Sequence, residues 1–184
     1  MADTILVVGA TGKQGGGVAR HLLTRGMFNV RCITRRSDSE SAKVLKQLGA
    51  DVLQADLDDR ASISRVMHGC EGVFGVTNFW EAYLREYNHG VNLINAASNA
   101  GVAHLVLSTL PSAKSISHGA IELPHFETKA RMEEHTQRQN VPFTFVRVAF
   151  YYENFLSYFP PVRYVRQMVA TASAFHSAML SWVL

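Results

Sequence analysis

Nine consecutive residues near the start of the chain restrict it to very few folds: Gly9-Ala10-Thr11-Gly12-Lys13-Gln14-Gly15-Gly16-Gly17. They follow the apolar run Ile5-Leu6-Val7-Val8 and open the helical pattern Val18-Ala19-Arg20-His21-Leu22-Leu23. A strand, a glycine-rich turn and a helix, in that order, form the geometry that holds a dinucleotide pyrophosphate. Gly9 lets the chain turn tightly out of the strand. Gly12 lets the backbone approach the phosphates, and Gly15 lets the helix pack closely on the strand. The N–H groups of the first turn then face the anion. The bland alternative is a flexible glycine loop, and the flanking strand and helix argue against it.

The rest of the chain repeats the alternation. Strands are predicted at 5–8, 30–34, 51–55, 72–76, 103–108 and 143–148. Helices are predicted at 14–25, 41–48, 59–68, 83–100 and 125–139. Glycines at 26, 49, 69 and 101 stand where left-handed helix stops belong. Near-continuous Val/Ile/Leu strands separated by helices predict a buried parallel sheet with helices on both faces. With 184 residues, the chain is long enough for one domain with a sizeable core. A net charge of +3, with only Arg35-Arg36 as a tight basic pair, argues against direct nucleic-acid binding. Two unpatterned cysteines, Cys32 and Cys70, suggest a reducing compartment. Met1-Ala2-Asp3-Thr4 runs straight into a strand without a signal-peptide pattern, so a cytoplasmic location is expected, with a nuclear one also open.

The end of the second strand decides which cofactor such a fold takes. An acid there favours NAD, and an arginine accommodates the 2′-phosphate of NADP. Here Arg35 and Arg36 follow Thr34, with no acid until Asp38, so NADP(H) is expected ahead of NAD(H). The third strand ends at Asp56-Leu57, where the carboxylate could accept from the adenine amino group. Thr77-Asn78-Phe79-Trp80, after the fourth, suits a ribose and a flat ring, although packing under the loop is the alternative for the two aromatics.

The short-chain dehydrogenase acid is missing. Those enzymes place a tyrosine four residues before a lysine, and none of Lys13, Lys43, Lys46, Lys114 or Lys129 has one. Lys129 stands on the right helix with His125 at i−4, on the same face. Lys129 would keep a ribose-binding role. His125 would be either a substitute acid or a polar residue at the helix start. Ser108, ending the fifth strand, is a weak third catalytic candidate. The histidines show no metal-ligand spacing, and no metal is expected.

These motifs resemble the NmrA-like family, an atypical branch of the short-chain dehydrogenases, in the subgroup that includes an NADPH sensor. The resemblance rests on Gly9 to Gly16, Thr34-Arg35, Gln54-Ala55-Asp56, Thr77-Asn78-Phe79-Trp80-Glu81, His125-Phe126-x-x-Lys129 and Tyr151-x-Glu153-Asn154. It implies a Rossmann-type doubly wound sheet. By matching position, Gly9, Ala10, Thr11, Gly12, Lys13, Gln14 and Gly15 would hold the pyrophosphate, and Arg35, with Arg36 beside it, the 2′-phosphate. Asp56 and Leu57 would flank adenine, and Thr77, Asn78, Phe79 and Lys129 would meet the nicotinamide ribose. Tyr151, Glu153 and Asn154 would close over the nicotinamide. Ser39 stands where a second basic residue is often found.

The resemblance implies a redox sensor or negative regulator that acts through an unidentified regulatory protein partner, without evident catalysis, and leaves a homo-oligomer open. The alternative is an NAD(P)H-dependent reductase of quinones or small carbonyls. A third possibility is a structural isoform that binds no cofactor. The match is expected to run from about residue 4 to Phe159, so that 1–159 form the dinucleotide-binding domain and 160–184 a divergent helical tail, with the family's C-terminal subdomain largely missing. Pro160-Pro161 should break the chain direction. Val165, Met168, Val169, Ala172, Phe175 and Met179 fall at helical spacing beyond it, which favours a docking amphipathic helix over a membrane span.

Overall fold

The computed structural model describes residues 2–148 and 150–162, and the expected tail helix lies outside the described residues. The chain divides into two compact units, Met1–Val148 and Ala149–Leu184. The first is built on six parallel strands: β1 (Thr4–Val7), β2 (Asn29–Thr34), β3 (Asp51–Gln54), β4 (Gly72–Gly75), β5 (His104–Thr109) and β6 (Phe143–Arg147). Their order in the sheet is β3-β2-β1-β4-β5-β6. The order in which strands are added therefore reverses between β1 and β4, which pair in parallel with Leu6 opposite Val73. Ligands of such sheets bind at that switch point, beyond the carboxyl ends of the strands.

Alternation along the strands divides the core into two layers. Leu6, Val8, Ile33, Val73, Leu105 and Leu107 face one side, packing with Ile63, Met67, Leu93, Ile94 and Met132. These come from α3 (Arg60–Met67), α5 (Glu86–Ala100) and α7 (Pro124–Gln137). Val7, Val30, Cys32 and Phe74 face the other side, against Ala19 of α1 (Lys13–Arg25) and Leu45 of α2 (Glu40–Gln47). Helices on both faces explain why the strands read as continuous apolar runs.

Local signals set the element ends. Ser39 caps α2 by accepting from the Ala42 amide, so the position read as a missing basic residue has a structural use. Asp59 caps α3 through the Ala61 and Ser62 amides. Gly26, Gly49, Gly69 and Gly101 all adopt positive φ, as expected of helix stops.

The helix expected over 83–100 is wrong at its start. Instead α4 (Phe79–Ala82) is followed by a 3-10 turn, Tyr83–Arg85, before α5 begins at Glu86. Tyr83 takes φ 46°, which ends α4 without a glycine to mark the break. Two further short helices, α6 (Ala113–Ile116) and α8 (Asn154–Ser157), were also not predicted.

Gly15 shows how closely α1 packs. A β-carbon there would lie 2.4 Å from the Gly9 carbonyl oxygen, whereas one at Gly17 would meet nothing within 4 Å. Urea unfolding should therefore give opposite signs within one motif. Gly15→Ala should cost about 2–3 kcal/mol by overpacking against backbone. Gly17→Ala should gain about 0.5–1 kcal/mol by restricting the unfolded chain at an open helical position.

Candidate functional site

An open groove lies over the switch point, where ligands of such sheets bind. Of the expected residues, Gly9, Thr11, Arg35, Asp56, Leu57, Thr77 and Asn78 line it. Glu81, Arg85 and His89 line it too, although the sequence reading assigned them no role.

Gly9 makes the turn out of β1 at φ 69°. Its carbonyl accepts from the Gly12 amide at 2.9 Å, and Gly12 starts α1. Ser39 caps α2 and Asp59 caps α3, but the N-cap of α1 is Gly12, which has no side chain to do so, and the first turn of α1 carries no acid. The positive end of the α1 dipole is therefore not neutralised by an acid in its own first turn, which suits an anion. Ala10 is buried beneath the turn, and Lys13 opens the helix on its exposed side. Gln14 accepts from the Ser108 hydroxyl at 2.9 Å, which ties the start of α1 to the end of β5.

Arg35, just past β2, pairs with Glu81 of α4. Arg36 is exposed and lies outside the groove lining; its amide donates to the Thr34 hydroxyl. Asp56 accepts from the Asp58 amide at 3.0 Å. Asp58 in turn pairs with Arg85 and lies 2.8 Å from His89 Nε2. Asp56, Asp58 and His89 bring their ligand atoms within 4.8 Å of one another, a proximity no spacing in the sequence announced. The Arg85 guanidinium already supplies the positive charge there.

A buried pair of charged groups lies beyond β4. Glu86, the first residue of α5, is fully buried, and Lys129 of α7 is 7 % exposed. Lys129 Nζ lies 2.8 Å from Glu86 Oε1 and donates to the Thr77 carbonyl at 2.8 Å and hydroxyl at 2.6 Å. The Thr77 hydroxyl donates to Glu86 Oε1 at 2.8 Å, whereas Glu86 Oε2 has no hydrogen-bond partner among the described residues. Burial pushes the Lys129 ammonium below its ordinary range, and Glu86 opposes that shift. Thr77 and Lys129 are thus in direct contact, and both also bind an acid that the sequence reading missed.

His125 stands next to the start of α7, with its ring 5.7 Å from Phe79, 5.3 Å from Trp80 and 4.9 Å from Phe126. Burial lowers its pKa from the ordinary histidine value. Phe79 is buried, while Trp80 is 79 % exposed, so the packing alternative holds for Phe79 alone. Tyr151, Glu153 and Asn154 belong to the second unit, where Asn154 begins α8.

A parallel sheet in this order, with an uncapped glycine turn at its switch point, defines the class of doubly wound dinucleotide-binding domains. The sequence model of the NmrA-like family matches residues 1–176, and the chain belongs to that family. The match continues past Phe159, which corrects the expectation that the resemblance stops there. Apolar residues at helical spacing, with no motif among them, had offered nothing to recognise.

An NmrA-like family domain-containing oxidoreductase of Aspergillus hancockii is 39 % identical over 160 residues, covering 83 % of this chain and 48 % of the relative. The structure of NmrA, a negative transcriptional regulator, superposes with a TM-score of 0.76 at 25 % identity over 84 % of this chain and 48 % of that one. The triphenylmethane reductase of Citrobacter sp., complexed with NADP(H), gives 0.70 at 25 % identity over 83 % and 51 %. The chain spans about half the length of the curated relatives it matches. Among the described residues no helix is long and apolar enough to cross a membrane.

Removing one member of the buried pair should be costly, because the other charge is left uncompensated. In urea unfolding, Lys129→Met should lose about 3–5 kcal/mol. Adding Glu86→Gln to Lys129→Met should recover part of that loss, giving a clear coupling energy in a double-mutant cycle.

Proposed function

We propose that this chain is an NADP(H)-binding domain of the sensor or regulator type, in which the dinucleotide changes affinity for a regulatory protein partner. Several observations support a dinucleotide: the uncapped glycine turn, the groove over the switch point and the arginine after β2. Gly9 to Gly15 would hold the pyrophosphate, Arg35 the 2′-phosphate, and Asp56 with Leu57 the adenine. When bound, the nicotinamide would supply hydride chemistry.

What favours sensing over turnover is the state of the Lys129 face. Its ammonium is engaged by Glu86 and Thr77, and the residue at i−4 is a histidine packed among aromatic rings rather than a tyrosine. A general acid of the short-chain dehydrogenase kind is therefore not built at that position. The second reading, a reductase of quinones or small carbonyls, draws on the names of the oxidoreductase and reductase relatives. It would use Lys129 with His125 or Ser108.

Calorimetry on the full chain, with folding checked by circular dichroism, tests the cofactor. NADPH should bind more tightly than NADH, and Arg35→Ala should weaken NADPH by more than about tenfold while affecting NADH less, because a charge-assisted contact is lost. Binding of neither overturns the dinucleotide reading. NADPH oxidation across a panel of quinones and aldehydes should be negligible. Robust turnover lost in both Lys129→Ala and His125→Ala would replace the sensor reading with the reductase.

A further inference from the structure

Both arginines that line the groove are already matched by a carboxylate. Arg35 pairs with Glu81, and Arg85 pairs with Asp58. Among the described lining residues, no other lysine or arginine is present. A phosphate that relies on an arginine of this groove must therefore take it over from an acid.

We propose that Glu81 is a specificity-determining residue that competes with a 2′-phosphate for Arg35 and so holds down the preference for NADP(H) over NAD(H). The proposal rests on the dinucleotide reading above. Glu81 reaches Arg35 across 46 residues of sequence, from the short helix after β4 to the end of β2. The two side chains are 58 % and 50 % exposed, so the pair is solvated and exchangeable, unlike the buried Glu86–Lys129 pair. A 2′-phosphate can replace the carboxylate on Arg35, but the displaced carboxylate remains on the same groove wall, where like charges repel.

A 2′-hydroxyl meets no such penalty. Folds of this class favour NAD by placing an acid at the end of the second strand, where it accepts from the ribose hydroxyls. Here the end of β2 carries Arg35, and an acid reaches the same place from α4. The arginine and the acid thus oppose one another in one cofactor pocket. Read alone, Arg35 overstates the discrimination.

Titration calorimetry of the full chain with NADP+, NAD+, adenosine 2′,5′-bisphosphate and 5′-AMP tests this in wild type, Glu81→Gln and Asp58→Asn. Glu81 is exposed, so its replacement leaves the core untouched. Glu81→Gln should tighten NADP+ and the bisphosphate by about five- to tenfold, and leave NAD+ and 5′-AMP unchanged or slightly weaker. Asp58→Asn, which removes the carboxylate paired with the other groove arginine, Arg85, should leave the ratio of NADP+ to NAD+ affinity within about twofold of wild type. Equal effects of Glu81→Gln on ligands with and without the 2′-phosphate, or an equal ratio change in Asp58→Asn, overturns the role of Glu81 while the dinucleotide reading stands. Failure of wild type to bind either dinucleotide overturns both.

Discussion

A carboxylate and an ammonium taken out of water together hold the wall of the groove beyond β4. Neither Glu86 nor Lys129 can be moved alone, because each is the main compensation for the other's buried charge. Thr77 closes the arrangement by donating to the acid and accepting from the amine. The result fixes three elements at once: the end of β4, the first turn of α5 and the middle of α7. One turn further along α7, buried Glu133 accepts from Thr109 of β5 and pairs with Arg147 of β6. Lys129 and Glu133, four residues apart on one face, therefore pin α7 to β4 on one side and to β5 and β6 on the other.

The other wall is held sterically. The first turn of α1 approaches the Gly9 carbonyl so closely that a single methyl at Gly15 has no room. This close packing, with Gly9 in a left-handed turn, aims the uncapped amides of α1 at the switch point. The two walls thus have different origins. One depends on the absence of side chains and the other on buried charges that neutralise each other.

That difference explains what could be read before the structure. Missing side chains leave a local signature, so the glycine turn, the strands and the helix stops were legible in order and nearly in extent. Charge pairing across the fold leaves none. Glu86 sits in Arg85-Glu86-Tyr87, a stretch that reads as solvated, and acids are seldom fully buried. The available clue was Lys129 itself, because a lysine buried on a helix that covers the sheet demands an acid somewhere. The break between α4 and α5 was missed for a related reason. Tyr83 takes a left-handed conformation that the sequence does not advertise, because the residue there is not glycine. Glu81 was visible in the motif Thr77-Asn78-Phe79-Trp80-Glu81 but had no assigned role, since its partner lies on another strand.

The charges around the groove fall into two ranks, and the ranks set what each can do. Glu86 with Lys129 is buried, so exchange with a ligand would require desolvating a charge twice, and the pair acts as scaffold. Arg35 with Glu81 and Arg85 with Asp58 are exposed, so water already competes with each contact and a ligand can do the same. An exposed pair across a groove contributes little to stability. Its effect is on the charge an incoming anion meets. A groove whose arginines are each matched by an acid offers a phosphate less attraction than a count of arginines implies. Selectivity then depends on which acid can be displaced and where it goes. The residues that determine the cofactor therefore include the acids that the ligand must displace.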